Sequence, residues 1–545
     1  MAQGHIIPFL ALAIELEQKR GCTITFASTP LNIKRIKPSL PPNSSIQLLE
    51  IPFRSSDHGL PPDCENTHDL PYHLILKLVE ASRSLKPSFH KLVYDLVRKQ
   101  HGRLPLCIIS DSFFGWCADI AHELGFKNSR YADVREPSRW SWYHLILKLV
   151  EASRSLKPSF HKLVYDLVRK QHGRLPLCII SDSFFGWCAD IAHELGVFHA
   201  IFFPFCAFST ACYYSIGMSL PHRNNDSKEF VLADFPQASR IHVTQMSENL
   251  QGGHGAETIR KLVQDCMSID GALFNSMGEL DEAGLAFFQK TFGKPFWPIG
   301  PVLLPPGTGS RAGNEAAIKA VEVCRNWLDT KPPNSVLYVS FGSQNTVSAS
   351  QMMHLAFALE ASGKNFIWAV RPPTGFDINS EFKEKEYLPE GFENRNKASG
   401  RGLLVHQWAP QMEILSHKST SAFLSHCGWN SVLEGLSYGV PIIGWPMASE
   451  QFYNVKLLEE EIGVCVEVAR GRISEVKSED IVAKIDLVMN DTEKGKEMRK
   501  RACEVRNIIN NSIADKEEFK GASVKAMDDF LNAAMLMREE AKRTP

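Results

Sequence analysis

The sequence predicts an α/β protein made of two Rossmann-like, doubly wound parallel-sheet domains facing across a cleft. Three observations predict it. Short apolar, β-rich runs alternate with helix-periodic stretches between Thr23 and Phe203. A second series of the same kind starts at Ser335. Between them lies Lys294 to Gly313, KPFWPIGPVLLPPGTGSRAG, whose five prolines and four glycines suit a stiff linker. Such β/α alternation implies parallel strands with helices on both faces, and ligands then bind outside the carboxyl ends of the strands.

In the first series, Thr23–Ala27 (TITFA), Ile46–Ile51, Leu106–Ser110, its copy Leu177–Ser181 and His199–Phe203 read as strands. Leu74 to Lys99 places Leu, Val and Phe three and four residues apart and reads as helix. In the second series SVLYVSFGS is a strand and its turn, Ser350 to Ser362 a helix, and NFIWAV, GLLVHQW, SAFLSH and PIIGWP are further strands. The run EFKEKE at Glu381 to Glu386 reads as a solvated loop, and Met352, Met353, Met412 and Met447 as core.

With 545 residues, 44% hydrophobic and 22% charged, the chain has globular composition and room for two large cores. Its 60 basic and 61 acidic residues leave a net charge of −1, which argues against nucleic acid or an anionic membrane surface as partner. The apolar run Ile6 to Ile14 is too short to span a bilayer, lacks a basic leader and is followed by Glu15 and Glu17. The thirteen cysteines are scattered with no CxxC pair, as for reduced thiols in the cytosol. A cytoplasmic protein without a membrane span is expected.

Residues Tyr72 to Gly125 recur letter for letter, 71 positions on, as Tyr143 to Gly196, a block of 54 residues. Stacked repeat architectures need several diverged units. One perfect copy is read instead as a recent duplication or a gene-model error.

The most informative stretch is Trp408 to Gln451, WAPQMEILSHKSTSAFLSHCGWNSVLEGLSYGVPIIGWPMASEQ. SAFLSH is a strand ending at His426, CGWNS a tight glycine turn, and Ser431 opens a helix. Such a helix start offers free backbone N–H groups and the positive end of a dipole, a cradle for an anion. His426, Asn430 and Ser431 add side-chain donors. Trp408 offers a flat face for a base, Glu434 can accept from two ribose hydroxyls, and Glu450 and Gln451 follow the next strand where sugar hydroxyls can be read. His426 beside Cys427 has no second ligand pair at usable spacing, so no metal is expected.

These 44 residues resemble the signature box of the plant family 1 UDP-sugar glycosyltransferases, with WxPQ, HCGWNSxxE and the terminal acidic-Gln pair in register. GHIIP at Gly4–Pro8, FWPIGP and VSFGS at Val339–Ser343 fit the same family. The resemblance implies the GT-B fold and a metal-free reaction with no cofactor. Trp408 would stack on uracil, the Ala409 backbone would pair with its edge, and Gln411 and Glu434 would hold the ribose. His426, Gly428, Trp429, Asn430, Ser431 and Ser343 would surround the diphosphate. Glu450 and Gln451 would bind the sugar, and the terminal Gln favours UDP-glucose.

The same resemblance assigns residues 1–295 to acceptor binding, 296–315 to a linker, 316–520 to UDP-sugar binding, and 521–545 to a helix packing back on the first domain. It makes His5, in the GHxxP turn, the base that deprotonates the acceptor. The partner aspartate follows the CIIS strand, and the duplication supplies two, Asp182 and Asp111. Asp182 is favoured, because its copy runs straight into His199–Phe203. Either could instead cap a strand end. Ala207–Thr210 (AFST) is a candidate wall of the acceptor pocket. Only Met1 to Gln3 precede Gly4, so a strand that the family places centrally is missing, with a gap in the hydrogen-bond ladder expected there. A monomeric inverting glucosyltransferase of small lipophilic phenolics or terpenoids is the leading expectation. The alternatives are a catalytically impaired UDP-sugar-binding homologue and a dinucleotide oxidoreductase, the last disfavoured because no GxGxxG follows a first strand.

Overall fold

Two parallel sheets organise the chain. The structure, a computed structural model, describes residues 3–66, 175–223, 227–246, 248–251, 255–304, 315–343, 345–374, 376, 380–406, 409–470 and 476–543, with short stretches between 70 and 110. The predicted helix Leu74–Lys99 lies largely outside the described residues.

The chain opens with helix α1 (Gln3–Arg20). This corrects the expected GHxxP turn: residues 3–20 form one continuous helix through Pro8. Ile6 to Ile14 is almost wholly buried, so its backbone must find internal partners, and a helix supplies them within the segment. Pro8 removes only the bond to the Gly4 carbonyl, one turn in.

Strands β1 (Thr25–Ser28) and β2 (Gln47–Glu50) pair in parallel as a sheet of their own. A second sheet runs in the order β3 (Cys107–Ser110), β4 (Cys178–Asp182), β5 (Phe198–Phe203), β8 (Gly271–Phe274) and β9 (Phe296–Pro298), all parallel. A small hairpin, β6 (Glu229–Val231) and β7 (Arg240–His242), precedes β8. The predicted strands therefore form, but in two separate sheets. β3 and β4 are the two copies of one sequence, lying side by side with Cys107 opposite Cys178 and Ser110 opposite Ser181. The first three residues of the expected linker are β9, the last strand of this sheet.

α1 covers one face of the sheet. Its residues from Ile6 to Leu16 share a core with Cys178, Ile180, Phe202 and Trp297, and Phe9 meets Phe202 edge-to-face at 5.5 Å. A long final helix packs on the same face through Met527 and Phe530, and Arg20 pairs with its Asp528. Among the described residues no helix is long and apolar enough to cross a membrane.

The remaining sheet has six parallel strands in the order β12 (Gly402–His406), β11 (Asn365–Val370), β10 (Val336–Ser340), β13 (Thr420–Ser425), β14 (Ile442–Gly444) and β15 (Cys465–Glu467). Every residue of β10, β13 and β14 is buried, as a strand covered on both faces requires. The chain builds outward from β10 to β12, then returns to β13 and builds the other way. The β10–β13 boundary is thus the point where a parallel sheet opens a crevice at its carboxyl edge.

Candidate functional site

β10 and β13 end side by side, with Ser340 opposite Ser425, and their loops diverge from that point. One loop carries Gly342 and Ser343; the other carries His426, Cys427 and Gly428 and leads into helix α3 (Trp429–Ser437). The His426 ring is clasped between two glycines. A Cβ on Gly342 would lie 2.6 Å from His426 Cε1, and one on Gly428 would lie 2.6 Å from its Nε2. Gly342 also holds φ +78, which side chains rarely adopt. Only a glycine on each side leaves room for this imidazole.

Burial lowers the His426 imidazole to about 4, so it is neutral at physiological pH, with one ring nitrogen a donor and the other an acceptor. Its Nδ1 is buried and has no partner among the described residues. Gly428, the N-cap of α3, brings no side chain to the helix start, and the first bond inside the helix runs from Val432 N to the Gly428 carbonyl. The leading N–H groups of α3 therefore face the loop with the positive end of the helix dipole behind them. An anion fits this geometry.

Beside that end, three predicted residues meet. Gln411 Nε2 donates to Ser431 Oγ at 3.0 Å and to Glu434 Oε2 at 2.8 Å, while Tyr338 OH donates to Gln411 Oε1 at 3.3 Å. Glu434 is fully buried in the second turn of α3, so its carboxylate is held in one place by Gln411. Ala409 is buried just ahead of Gln411; Trp408 lies outside the described residues. The Ser343 carbonyl accepts from Arg371 at 2.6 Å.

Glu450 is the N-cap of helix α4 (Gln451–Lys456). Gln451 Oε1 accepts from the backbone N–H groups of Met447 and Ala448 at 3.0 and 3.1 Å. Its oxygen is committed to its own turn, which leaves the amide NH2 as the donor available to a ligand.

Trp429 differs from the expectation. Its indole is buried and donates to the Asn275 carbonyl, beyond the end of β8, at 2.6 Å. Only its backbone belongs to the helix start. Asn275 stands at the end of β8, and its Oδ1 accepts from Val302 N of the linker at 2.6 Å. Neither Asn275 nor this role of Trp429 was legible in the signature box, because both depend on a strand from the other domain.

In the N-terminal half, His5 lies in the first turn of α1, and its side chain is outside the described residues. Asp182 ends β4, fully buried, and its Oδ1 accepts from Phe184 N at 3.1 Å and Ser183 Oγ at 3.3 Å. One carboxylate oxygen thus caps the turn Ser183–Phe185. Asp111 is outside the described residues, one residue beyond β3. Ala207–Thr210 is the buried first turn of helix α2 (Ala207–Ser219), which follows β5, and its hydroxyls from Ser209 and Thr210 donate to the Cys206 carbonyl. Among the described residues, no group of three or more His, Cys, Asp or Glu could hold a metal ion.

Residues 311–502 match the model of a family described as UDPGT, UDP-glucoronosyl and UDP-glucosyl transferase. UDP-glycosyltransferase 92A1 of Arabidopsis thaliana is 42% identical over 552 residues, covering 99% of this chain and 96% of that protein. Crocetin glucosyltransferase 3 of Crocus sativus is 36% identical over 515 residues, covering 91% of this chain and 90% of that protein. A Glycyrrhiza uralensis UGT, solved in complex with glycyrrhetinic acid 3-O-monoglucuronide, superposes with a TM-score of 0.73 at 24% identity, over 100% of this chain and 96% of that one.

Proposed function

The chain belongs to the plant family 1 UDP-glycosyltransferases, with a GT-B fold, and from that premise we propose that it is an inverting UDP-glucose-dependent glucosyltransferase. Its acceptor is a hydroxyl of a small lipophilic molecule, a phenolic or a terpenoid, and its product a β-glucoside. The single observation that supports the donor half is the open start of α3 with the neutral His426 ring clasped beside it. A diphosphate placed there takes hydrogen bonds from the helix N–H groups and gains charge stabilisation as UDP departs, without a metal. The Gln411–Glu434 pair offers acceptors for ribose hydroxyls, and the Gln451 amide a donor for the sugar. The name of crocetin glucosyltransferase 3 agrees with glucose as the transferred sugar.

By this reading the domain of residues 1–295 holds the acceptor and that of 316–520 the donor. His5 takes the proton of the attacking hydroxyl, and Asp182, with Asp111 as its alternative, orients the imidazole and stabilises its charged form. Attack from the face opposite UDP inverts the anomeric carbon. The protein works as a monomer in the cytosol, a reducing environment that suits cysteines of which nine of the eleven described are buried.

A second reading, a UDP-sugar-binding homologue with impaired catalysis, is favoured by one observation. The segment of His5 continues as helix α1 where a catalytic turn is expected. UDP release from UDP-glucose with a pool of phenolic and terpenoid acceptors separates the two. Acceptor-dependent release that His5→Ala abolishes supports the transferase, and a preference for UDP-glucose over UDP-galactose supports the sugar. UDP binding without release supports the second reading.

A further inference from the structure

Three residues beyond the signature box, Asn454 is fully buried one turn along α4 from Gln451. Its side-chain amide spans two domains. The Nδ2 donates to the Cys427 carbonyl, in the turn that leads into α3, at 2.9 Å. The Oδ1 accepts from the Cys206 thiol, in the other domain, at 3.4 Å.

Cys206 is the N-cap of the helix Ala207–Ser219, which follows β5. Its Sγ accepts from Ser209 N at 3.4 Å and lies 3.0 Å from Ser209 Oγ. The two N–H groups ahead of Ser209, those of Ala207 and Phe208, are held by the buried Asp281 carboxylate. Burial, with the nearby Asp281 adding to it, pushes the Cys206 thiol well above its ordinary range, so it keeps the proton it donates. The amide thus has a donor fixed on one domain and an acceptor fixed on the other. Rotating it by half a turn would set its oxygen against the Cys427 carbonyl oxygen, so the pair of contacts defines one register only. Both ends of this strut stand at the carboxyl edges of their sheets, where ligands of such sheets bind.

We propose that Asn454 is a positioning residue that sets the register between the donor turn at Cys427 and the helix start at Cys206, so that filling the donor site orders the acceptor side. The inference rests on the UDP-glycosyltransferase reading. The buried amide of one residue then does what two separate domain surfaces cannot do alone, which is to make occupancy on one side felt on the other.

The test is amide hydrogen exchange on the full chain with and without UDP, followed by kinetics. In the wild type, UDP should slow exchange across residues 206–210 by a factor of about five or more, the low end of ordinary coupling between sites. Cys206→Ser retains a donor to the same oxygen and should retain that response. Cys206→Ala, which deletes the thiol donor, and Asn454→Asp, whose carboxylate cannot donate to the Cys427 carbonyl, should each lose it. In turnover both lossy variants should raise the acceptor KM by roughly tenfold, the size of one buried hydrogen bond, with the UDP-glucose KM within about twofold. A merely structural strut would move both constants together. UDP binding without protection at 206–210, or with full protection in Cys206→Ala and Asn454→Asp, overturns the proposal and leaves the family reading intact. Failure of UDP to bind the wild type overturns both.

Discussion

The Trp429 indole donates to the Asn275 carbonyl 2.6 Å away, and that bond crosses from the donor turn to the end of a strand in the other domain. The same Asn275 holds the linker at Val302 through its side chain. The turn proposed to receive the diphosphate is therefore fastened to the start of the linker by a tryptophan that a sequence motif alone would assign to the ligand.

Trp429→Phe keeps the ring packing and deletes the donor, leaving a buried carbonyl unpaired. It should cost about 1–3 kcal/mol in urea unfolding. A variant as stable as the wild type would show that the bond carries no weight.

Gly342→Ala places a Cβ 2.6 Å from the His426 ring on a backbone with φ +78. The ring must move, and UDP affinity should fall by roughly tenfold or more in a calorimetric titration, as for loss of charge-assisted hydrogen bonds. Gly435→Ala, within α3 and with its nearest contact at 3.4 Å, is the control that should leave UDP affinity unchanged.

Glu434→Ala removes the carboxylate acceptor that Gln411 holds at 2.8 Å and leaves the Gln411 amide only Ser431 Oγ, at 3.0 Å. UDP should bind about ten- to a hundredfold more weakly, while uridine-free pyrophosphate, which has no ribose, should be affected far less. Equal loss for both would argue that the carboxylate acts on helix stability instead.

His426 titrates near 4 in the folded chain, against 6.5 for an ordinary histidine, because burial disfavours its charged form. The unfolded chain then takes up more protons than the folded one between these values. Stability contributed by the neutral ring is complete above about 6.5 and is lost as pH falls through 4, amounting to about 3 kcal/mol. The unfolding free energy of the wild type relative to His426→Asn should fall by that amount between pH 7 and 4. A difference that stays flat with pH would show that the ring is not desolvated as described.

Deleting residues 72–142 removes one copy of the duplicated block. The residues proposed to bind the donor lie on the loops and helices that follow strands of the six-stranded sheet, so UDP affinity should stay within about twofold of the full chain, a change worth under half a kcal/mol. A large loss would tie the duplicate to the donor domain.

Much of this architecture is written locally. VLYVS, NFIWAV and TSAFLS are short, mostly apolar runs of the kind a doubly covered parallel strand buries, and each is found as one. The Gln411–Ser431–Glu434 cluster was legible because its members sit on a short helix and the helix it touches, at fixed spacing. The missed features are non-local. The helix through Gly4–Pro8 depends on what packs around it, and a five-letter turn motif carries no such information. The strand Cys465–Glu467 is too short to announce itself. The Trp429 and Asn454 contacts reach residues 154 and 248 positions away, where no spacing rule applies.

The side-by-side copies at β3 and β4 have a consequence for how the sheet chooses its members. Cys107–Ser110 and Cys178–Ser181 are the same four letters, so no side chain can tell the inner place from the outer one. Ordinary sheets reject a wrong strand by chemistry; here the competitor is chemically perfect. What ranks the two is tether length: the second copy joins β5 through a helical connection within the next sixteen residues, whereas the first must close a loop longer by 71. That difference is entropic and grows only logarithmically with length, roughly 1–2 kcal/mol. Order at this edge is thus a matter of chain topology, and a nick or a lengthened connection after Gly196 would shift occupancy between two otherwise indistinguishable strands.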